Sequence, residues 1–189
     1  ADLYESYVGS IISCAALAVA AGYGEQGVFV PMLIAAIGII SSIVGTFFVS
    51  TKENADQKSL LSSLRRGTYI SSAITAIAAA VLIAVLLPGK INLIWAVISG
   101  LLAGVLIGFF TEYYTSDTYK PTKDLASSSE TGSATVIING ISLGMLSTAI
   151  PVIIIAISII ISFFASGGAS GADNAFELGL YGVGLSAVG

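Results

Sequence analysis

The chain is organised as long apolar runs separated by short polar or glycine-containing stretches. Five complete or nearly complete runs and the start of a sixth lie at residues 1–22, 28–50, 67–87, 92–114, 132–166 and 175–189. About twenty apolar residues in a helix span the roughly 30 Å hydrocarbon core of a bilayer. The runs are about twice as long as a barrel strand and do not alternate, so they predict an all-α, polytopic bundle of transmembrane helices.

Glycine and proline mark the ends of several predicted helices. A glycine-flanked turn at residues 22–24 ends the first run, and a Pro-Gly pair at 88–89 ends the third. Pro31 is expected in the first turn of the second helix, where a missing N–H costs least. Pro151 divides the run at 132–166, which is longer than one span requires, and it predicts a kinked helix that projects beyond the bilayer.

The composition supports a membrane protein and excludes several kinds of site. Hydrophobic residues make up 56% of the chain and charged residues 10%, whereas roughly a quarter of a soluble domain is charged. With one cysteine, Cys14, and no histidine, the chain holds no internal disulfide, no Cys/His zinc site and no catalytic triad with histidine. The chain begins at Ala1 without a signal-peptide pattern and stops inside an apolar run, so we expect an internal segment of a longer protein.

The basic residues predict how the helices are oriented. Six of the seven lie in the polar stretches 51–66 and 115–131, namely Lys52, Lys58, Arg65, Arg66, Lys120 and Lys123. The loops on the other side carry only Lys90. Because cytoplasmic loops are enriched in lysine and arginine, 51–66 and 115–131 are expected to be cytoplasmic. The predicted location is therefore the cell membrane (the inner or plasma membrane), with the lipid bilayer as a partner and no nucleic acid.

The first helix carries polar residues on one narrow side. At about 100° per residue, Asp2, Glu5, Ser6, Gly9 and Ser13 form a single stripe. Carboxylates at membrane depth are costly and usually face a partner or a water-filled path. No lysine or arginine lies in the predicted apolar runs, so the positive charge would come from a proton, a metal cation or a basic residue elsewhere. The alternative is that both acids are ordinary first-turn residues near the headgroups, favoured there by the helix dipole.

Two further features have structural interpretations. Gly100, Gly104 and Gly108 recur every four residues, which allows a neighbouring helix to approach closely. Glu112 adjoins a pair of tyrosines and is expected at the membrane interface, where aromatic side chains collect.

Three segments resemble the membrane-integral inorganic pyrophosphatases. Ala1-Asp2-Leu3-Tyr4-Glu5-Ser6-Tyr7 is similar to the sixth helix of that family. Thr111-Glu112-Tyr113-Tyr114-Thr115-Ser116, continuing through Pro121 and the Thr131–Thr135 stretch, resembles the region of the ninth and tenth helices. Gly179-Leu180-Tyr181-Gly182-Val183-Gly184 looks like the start of the eleventh helix. The resemblance therefore covers essentially the whole chain.

The resemblance implies a sixteen-helix homodimeric pump, about six of whose helices are present here. Such a pump couples cytoplasmic hydrolysis of pyrophosphate, bound with Mg²⁺, to the export of Na⁺ or H⁺. In the family an aspartate and a glutamate of the sixth helix form an ion gate with a lysine of the last helix. These roles carry over to Asp2 and Glu5, with Ser6 as a further ligand of the transported Na⁺. The glutamate at Glu5, with Gly9 one turn on, favours a sodium pump stimulated by K⁺.

The resemblance also implies what this chain lacks. The family's aspartate-rich motifs for magnesium and pyrophosphate lie outside it, so no catalytic or substrate-binding residue is assigned here. We therefore expect the isolated chain to hydrolyse no pyrophosphate. The alternatives from other classes are a secondary transporter or channel segment without hydrolytic activity, and a purely structural membrane scaffold.

Overall fold

The described part of the chain is helical apart from its turns. The computed structural model describes the backbone of residues 2–50 and 56–188, with their side chains except at positions 2, 3, 57 and 58. The helices are α1 (Asp2–Ala20), α2 (Gly24–Thr46), α3 (Gln57–Leu86), α4 (Asn92–Thr115), α5 (Lys120–Ser127), α6 (Ser133–Ala165) and α7 (Ala175–Val188). A short 3-10 helix, Ser128–Thr131, joins α5 to α6. Since these ranges contain no strand, the predicted all-α fold is confirmed.

Four helices, α2, α3, α4 and α6, are long and apolar enough to cross a bilayer. At about 1.5 Å per residue each extends roughly 35–50 Å, which exceeds the roughly 30 Å hydrocarbon core. α1 and α7 are shorter apolar helices. Large hydrophobic side chains are exposed along α1, α2, α3, α4 and α6, as expected where the surrounding solvent is lipid. The chain is a multi-pass membrane protein.

The helices pack as neighbours around a small core. α4 lies against α6 and α7, α2 lies against α3, and α1 is held between α2 and α7. The core forms where α1, α2 and α7 meet the facing ends of α3 and α4. Its fully buried side chains include Cys14, Ala18, Val30, Ile34, Ile83, Leu93, Tyr181 and Leu185. α7 is thus the central element, in contact with α1, α2, α4 and α6.

Helices α2 and α3 begin earlier than the sequence predicted. α2 starts at Gly24, so Pro31 lies inside the helix instead of in its first turn. α3 starts at Gln57, so residues 57–66 are helical, and the predicted loop over 51–66 is wrong for this part. The reason is that hydropathy marks where the hydrocarbon ends, whereas a helix continues past that level as long as its backbone is hydrogen-bonded. Residues 51–55 lie outside the described ranges.

The predicted loop over 115–131 also contains regular structure. Helix α5 occupies its middle, followed by the 3-10 helix. Pro121 is in the first turn of α5, where a backbone N–H has no intrahelical partner to lose. No side chain of α5 is buried, so α5 is a short surface helix.

Helix α6 is a single element of 33 residues that continues through Pro151. Its length of about 50 Å carries it beyond the hydrocarbon core. The kink at Pro151 stays a prediction. The buried residues of α6 are Ser158 and Ser162, and isoleucine, leucine and valine side chains cover most of its remaining surface.

Candidate ion gate

The polar stripe of α1 remains open at the surface of this chain. Glu5, Ser6, Gly9 and Ser13 are all exposed. The opposite side of the helix, which includes Cys14 at 0% exposure, is buried against α2 and α7. The helix therefore docks through its apolar side and leaves the Glu5 carboxylate and the Ser6 and Ser13 hydroxyls exposed.

The structure places the three predicted gate residues, Asp2, Glu5 and Ser6, in the first two turns of α1. The side chain of Asp2 lies outside the described residues, so its part in a gate stays a prediction. Glu5 forms no ion pair with any described residue, since the single salt bridge found among them joins Arg65 to Glu112. The described residues also contain no cluster of three or more acidic, cysteine or histidine side chains. A cation held at Glu5 would therefore take most of its ligands from beyond these residues.

Two contacts hold the buried side of α1. The Tyr7 hydroxyl donates to the Ala35 carbonyl oxygen of α2 at 3.3 Å. About two turns further on, Cys14 packs on Gly184 of α7, where an added Cβ would lie 3.1 Å from the cysteine Sγ. The glycine thus lets α7 approach α1 closely, and together the two contacts determine which side of α1 faces outward.

A polar and aromatic cluster joins the opposite end of α1 to α2 and α7. The Asn174 Nδ2 donates to the Ala21 carbonyl at 3.2 Å. The rings of Tyr23 and Tyr181 lie 4.7 Å apart, and the Lys90 Nζ is 5.6 Å from the centre of the Tyr23 ring. Burial raises the pKa of the Tyr23 phenol.

Tyr181 of α7 donates a hydrogen bond to a carbonyl of α2 that loses its helical donor because of a proline. Pro31 lies inside α2, and because proline has no N–H, the carbonyl four residues earlier, that of Gly27, loses its intrahelical donor. The Tyr181 hydroxyl donates to the Gly27 carbonyl at 2.9 Å in a fully buried position. The bond ties α7 to α2. The sequence contained one indication of this bond. A proline inside an apolar helix predicts that the carbonyl four residues before the proline lacks a helical donor.

An ion pair lies where α3, α4 and the start of α5 meet. Arg65 Nη2 is 2.5 Å from Glu112 Oε1, and the Tyr119 hydroxyl is 3.5 Å from both groups. The guanidinium also lies 5.7 Å from the centre of the Phe109 ring. The sequence assigned Arg65 to a loop and Glu112 to the interface, and it did not pair them. The contact between Arg65 and Tyr119 shows that the two polar stretches predicted to be cytoplasmic meet at one end of the bundle.

A buried serine cluster connects α4 to α6, and sequence reasoning missed it. Ser99 Oγ lies 2.6 Å from Ser162 Oγ and 3.4 Å from Ser158 Oγ. Ser99 Oγ also lies 2.9 Å from the Ala96 carbonyl oxygen, to which its hydroxyl can donate. The detectable signal was the four-residue spacing of Ser158, Ser162 and Ser166, which places three hydroxyls on one side of a helix.

The close helix approach predicted from the glycine repeat holds at one of its three positions. A Cβ at Gly100 would collide with the Ser186 carbonyl of α7. Cβ atoms at Gly104 and Gly108 would meet no described atom within 4 Å. The glycine spacing thus gives α4 one side without side chains. Among the described residues, only the turn at Gly100 is in close contact with another helix, α7.

The family model described as Inorganic H+ pyrophosphatase matches residues 1–189. A "Putative K(+)-stimulated pyrophosphate-energized sodium pump" of Bacteroides thetaiotaomicron is 51% identical over the whole chain, which spans 27% of that relative. A protein of the same description from Clostridium tetani is 43% identical, and again the whole chain spans 27% of it. A "K(+)-insensitive pyrophosphate-energized proton pump" of Caldanaerobacter subterraneus is 35% identical over the whole chain and 28% of its own length.

These matches run from end to end of the chain, and the relatives are three to four times as long. The chain belongs to the inorganic H+ pyrophosphatase family.

Proposed function

We propose that this chain is a segment of a primary ion pump that couples cytoplasmic pyrophosphate hydrolysis to export of Na⁺ or H⁺. In this proposal α1 is the gate helix and the other helices are its scaffold. The observation that carries it is the exposed stripe on α1, where Glu5 and Ser6 lie on an otherwise apolar helix without a described basic partner. The relatives are described as pyrophosphate-energized pumps, which supports the hydrolytic part.

The gate would work through the oxygen atoms of Asp2, Glu5 and Ser6. Carboxylate and hydroxyl oxygens are hard ligands that suit a hard cation such as Na⁺. An unpaired carboxylate is costly at membrane depth, so a passing cation is stabilised there when it supplies the missing charge. A lysine from a helix outside this chain would replace the cation once it has left.

Sodium is the favoured ion and potassium the favoured activator. The relatives at 51% and 43% identity are described as K⁺-stimulated sodium pumps, whereas the proton pump is 35% identical. Mg²⁺ enters with the substrate, since pyrophosphate oxygens bind hard divalent cations. The pump would act as a homodimer, and the exposed apolar surface of α6 offers area for contact with lipid or a second subunit.

The alternatives make different predictions. A secondary transporter or channel would move ions without pyrophosphate, and the relatives' descriptions do not favour it. A structural scaffold would tolerate the loss of the Asp2 and Glu5 charges. Both are separated from the pump by one experiment on the full-length protein.

The experiment compares sodium activation of pyrophosphate hydrolysis in full-length wild type and Glu5→Gln. We expect the half-activating Na⁺ concentration to rise by about tenfold or more, because a bond to a charged group contributes about 1.5–3 kcal/mol. Glu25→Gln is the matched control, since Glu25 is also exposed but begins α2 at the opposite end of α1. Sodium activation that survives Glu5→Gln unchanged would show that the assignment of the gate is wrong.

A further inference from the structure

Tyr7 occupies the side of α1 opposite to the proposed gate. It follows Ser6 directly, yet at about 100° per residue it lies roughly 160° around the helix from Glu5. Its ring is half-buried and points toward α2, where the hydroxyl donates to the Ala35 carbonyl. Ala35 is itself buried in α2. Tyr7 is thus placed to transmit the position of α2 to the gate helix without contacting the ion.

Packing alone does not hold the Tyr7 ring. Tyr7 lines a cavity of about 690 Å³ bounded mainly by α2 and α3. The closest glycine of α2 is Gly38, and a Cβ added there would lie 3.8 Å from the Tyr7 hydroxyl, an ordinary contact distance. Since the ring has free space on one side, the bond to Ala35 adds a directional contact to its packing against the core.

The other anchors of α1 lie far along the helix from the gate. Cys14 meets Gly184 seven residues after Tyr7, or about 10 Å along the axis. Among the described residues, the bond to Ala35 is the only side-chain hydrogen bond from the first half of α1 to another helix. In this half of α1 the Tyr7 bond is therefore the directional contact that acts with the apolar packing of Tyr7 and Ile11 to fix the rotation of the helix.

Small rotations of α1 would change the gate geometry substantially. Side-chain atoms lie roughly 5–6 Å from a helix axis, so a rotation of about 20° moves them by about 2 Å. A binding constellation tolerates displacements of only about 0.5 Å. A small rotation that follows the loss of one directional contact would therefore displace the oxygens of Glu5 and Ser6 from a binding geometry.

We propose that Tyr7 is a positioning residue for the ion gate. Its bond to the Ala35 carbonyl sets the rotation of α1 and thereby the geometry that Glu5 and Ser6 present to the cation. This inference rests on the proposed function, because it assumes that these two residues bind the transported ion.

The test is Tyr7→Phe in the full-length pump, which keeps the ring and removes the hydroxyl. We expect the half-activating Na⁺ concentration to rise about three- to tenfold, the factor that one hydrogen bond of ordinary net strength represents. The KM for magnesium pyrophosphate should stay unchanged, which a general loss of structure would not allow. Tyr69→Phe is the matched control, because Tyr69 is exposed on α3 and the described residues of α3 make no contact with those of α1. If hydrolysis by the wild type does not require sodium, the readout is instead the number of ions transported per pyrophosphate hydrolysed.

A second pair of variants tests the same contact from α2. Gly38→Val should displace the Tyr7 hydroxyl and reproduce the sodium shift, whereas Gly38→Ala adds only an ordinary contact and should not. This pair decides the question if Tyr7→Phe fails to accumulate in the membrane. If Glu5→Gln loses sodium activation while Tyr7→Phe and Gly38→Val keep it, the positioning role is refuted and the gate stands. If all three variants keep normal sodium activation, the proposed function is refuted, and the positioning role of Tyr7 is refuted with it.

Discussion

Replacing Tyr181 by phenylalanine tests whether a hydrogen bond between α7 and α2 compensates for Pro31. The substitution keeps the buried ring and its contact with Tyr23 but removes the hydroxyl that donates to the Gly27 carbonyl. That carbonyl has no helical donor because Pro31 lacks an N–H. Tyr181→Phe therefore leaves a buried acceptor unpaired.

The size of the effect follows from the burial of both groups. Tyr181 is 0% exposed, and leaving a buried acceptor unpaired costs about 1–3 kcal/mol. Interhelical hydrogen bonds measured within membranes average about 0.6 and reach about 1.7 kcal/mol. Since the Gly27 carbonyl has no alternative backbone donor, we expect the upper part of the membrane range, about 1.5 kcal/mol of unfolding free energy.

The same substitution is also made in a protein that carries Pro31→Ala, because alanine at position 31 restores the N–H donor for the Gly27 carbonyl. In this background Tyr181→Phe should cost at most about 0.5 kcal/mol, so the double-mutant cycle should give a coupling of about 1 kcal/mol. The measurement is equilibrium unfolding of the four full-length proteins in mixed micelles with increasing SDS, followed by far-UV circular dichroism.

The matched control is Tyr69→Phe, which removes the same hydroxyl from an exposed tyrosine of α3. It should show no coupling to Pro31→Ala. Independent sites add to within about 0.3–0.5 kcal/mol. If Tyr181→Phe costs the same in both backgrounds within that margin, the hydroxyl stabilises the fold in some other way, and the compensation argument is refuted.

Two further predictions concern the ends and the middle of the bundle. Arg65→Gln breaks the ion pair that holds α3 to α4 beside α5, so trypsin should cut after the exposed Lys123 of α5 several times faster. Arg66→Gln, which removes an exposed arginine, should leave the rate unchanged. An equal rate in both variants would show that the pair does not restrain this segment. Gly100→Ala places a Cβ against a backbone carbonyl of α7 and should lower the midpoint of thermal unfolding. At Gly104 an added Cβ meets no described atom within 4 Å, so Gly104→Ala should leave the midpoint unchanged or raise it slightly. A neutral Gly100→Ala would mean that α4 and α7 separate readily.

The sequence predicted those features that depend on a single helix. Hydropathy reports whether a segment can lie in hydrocarbon, so the membrane fold and the all-α class followed from runs of about twenty apolar residues. Helical periodicity placed Glu5, Ser6, Gly9 and Ser13 on one side of α1, and the structure leaves all four exposed. Both inferences needed only the composition and periodicity of one segment.

The sequence did not predict the contacts that join distant segments. Tyr181 and Gly27 are 154 residues apart, and Arg65 and Glu112 are 47 apart. Hydropathy gives no information on which helices become neighbours, because lipid is as apolar as the side chains and does not drive a particular pairing. Only polar groups and close backbone contacts distinguish one arrangement from another.

The unpaired groups of individual helices nevertheless indicate where such contacts must form. Pro31 requires a donor for the Gly27 carbonyl, and in hydrocarbon that donor has to come from another helix. Tyr181 meets this requirement. The same reasoning applies to α1, where Glu5 has no described partner. In the first case the unpaired group is satisfied inside the chain and gives stability, and in the second it stays open, as an ion gate requires.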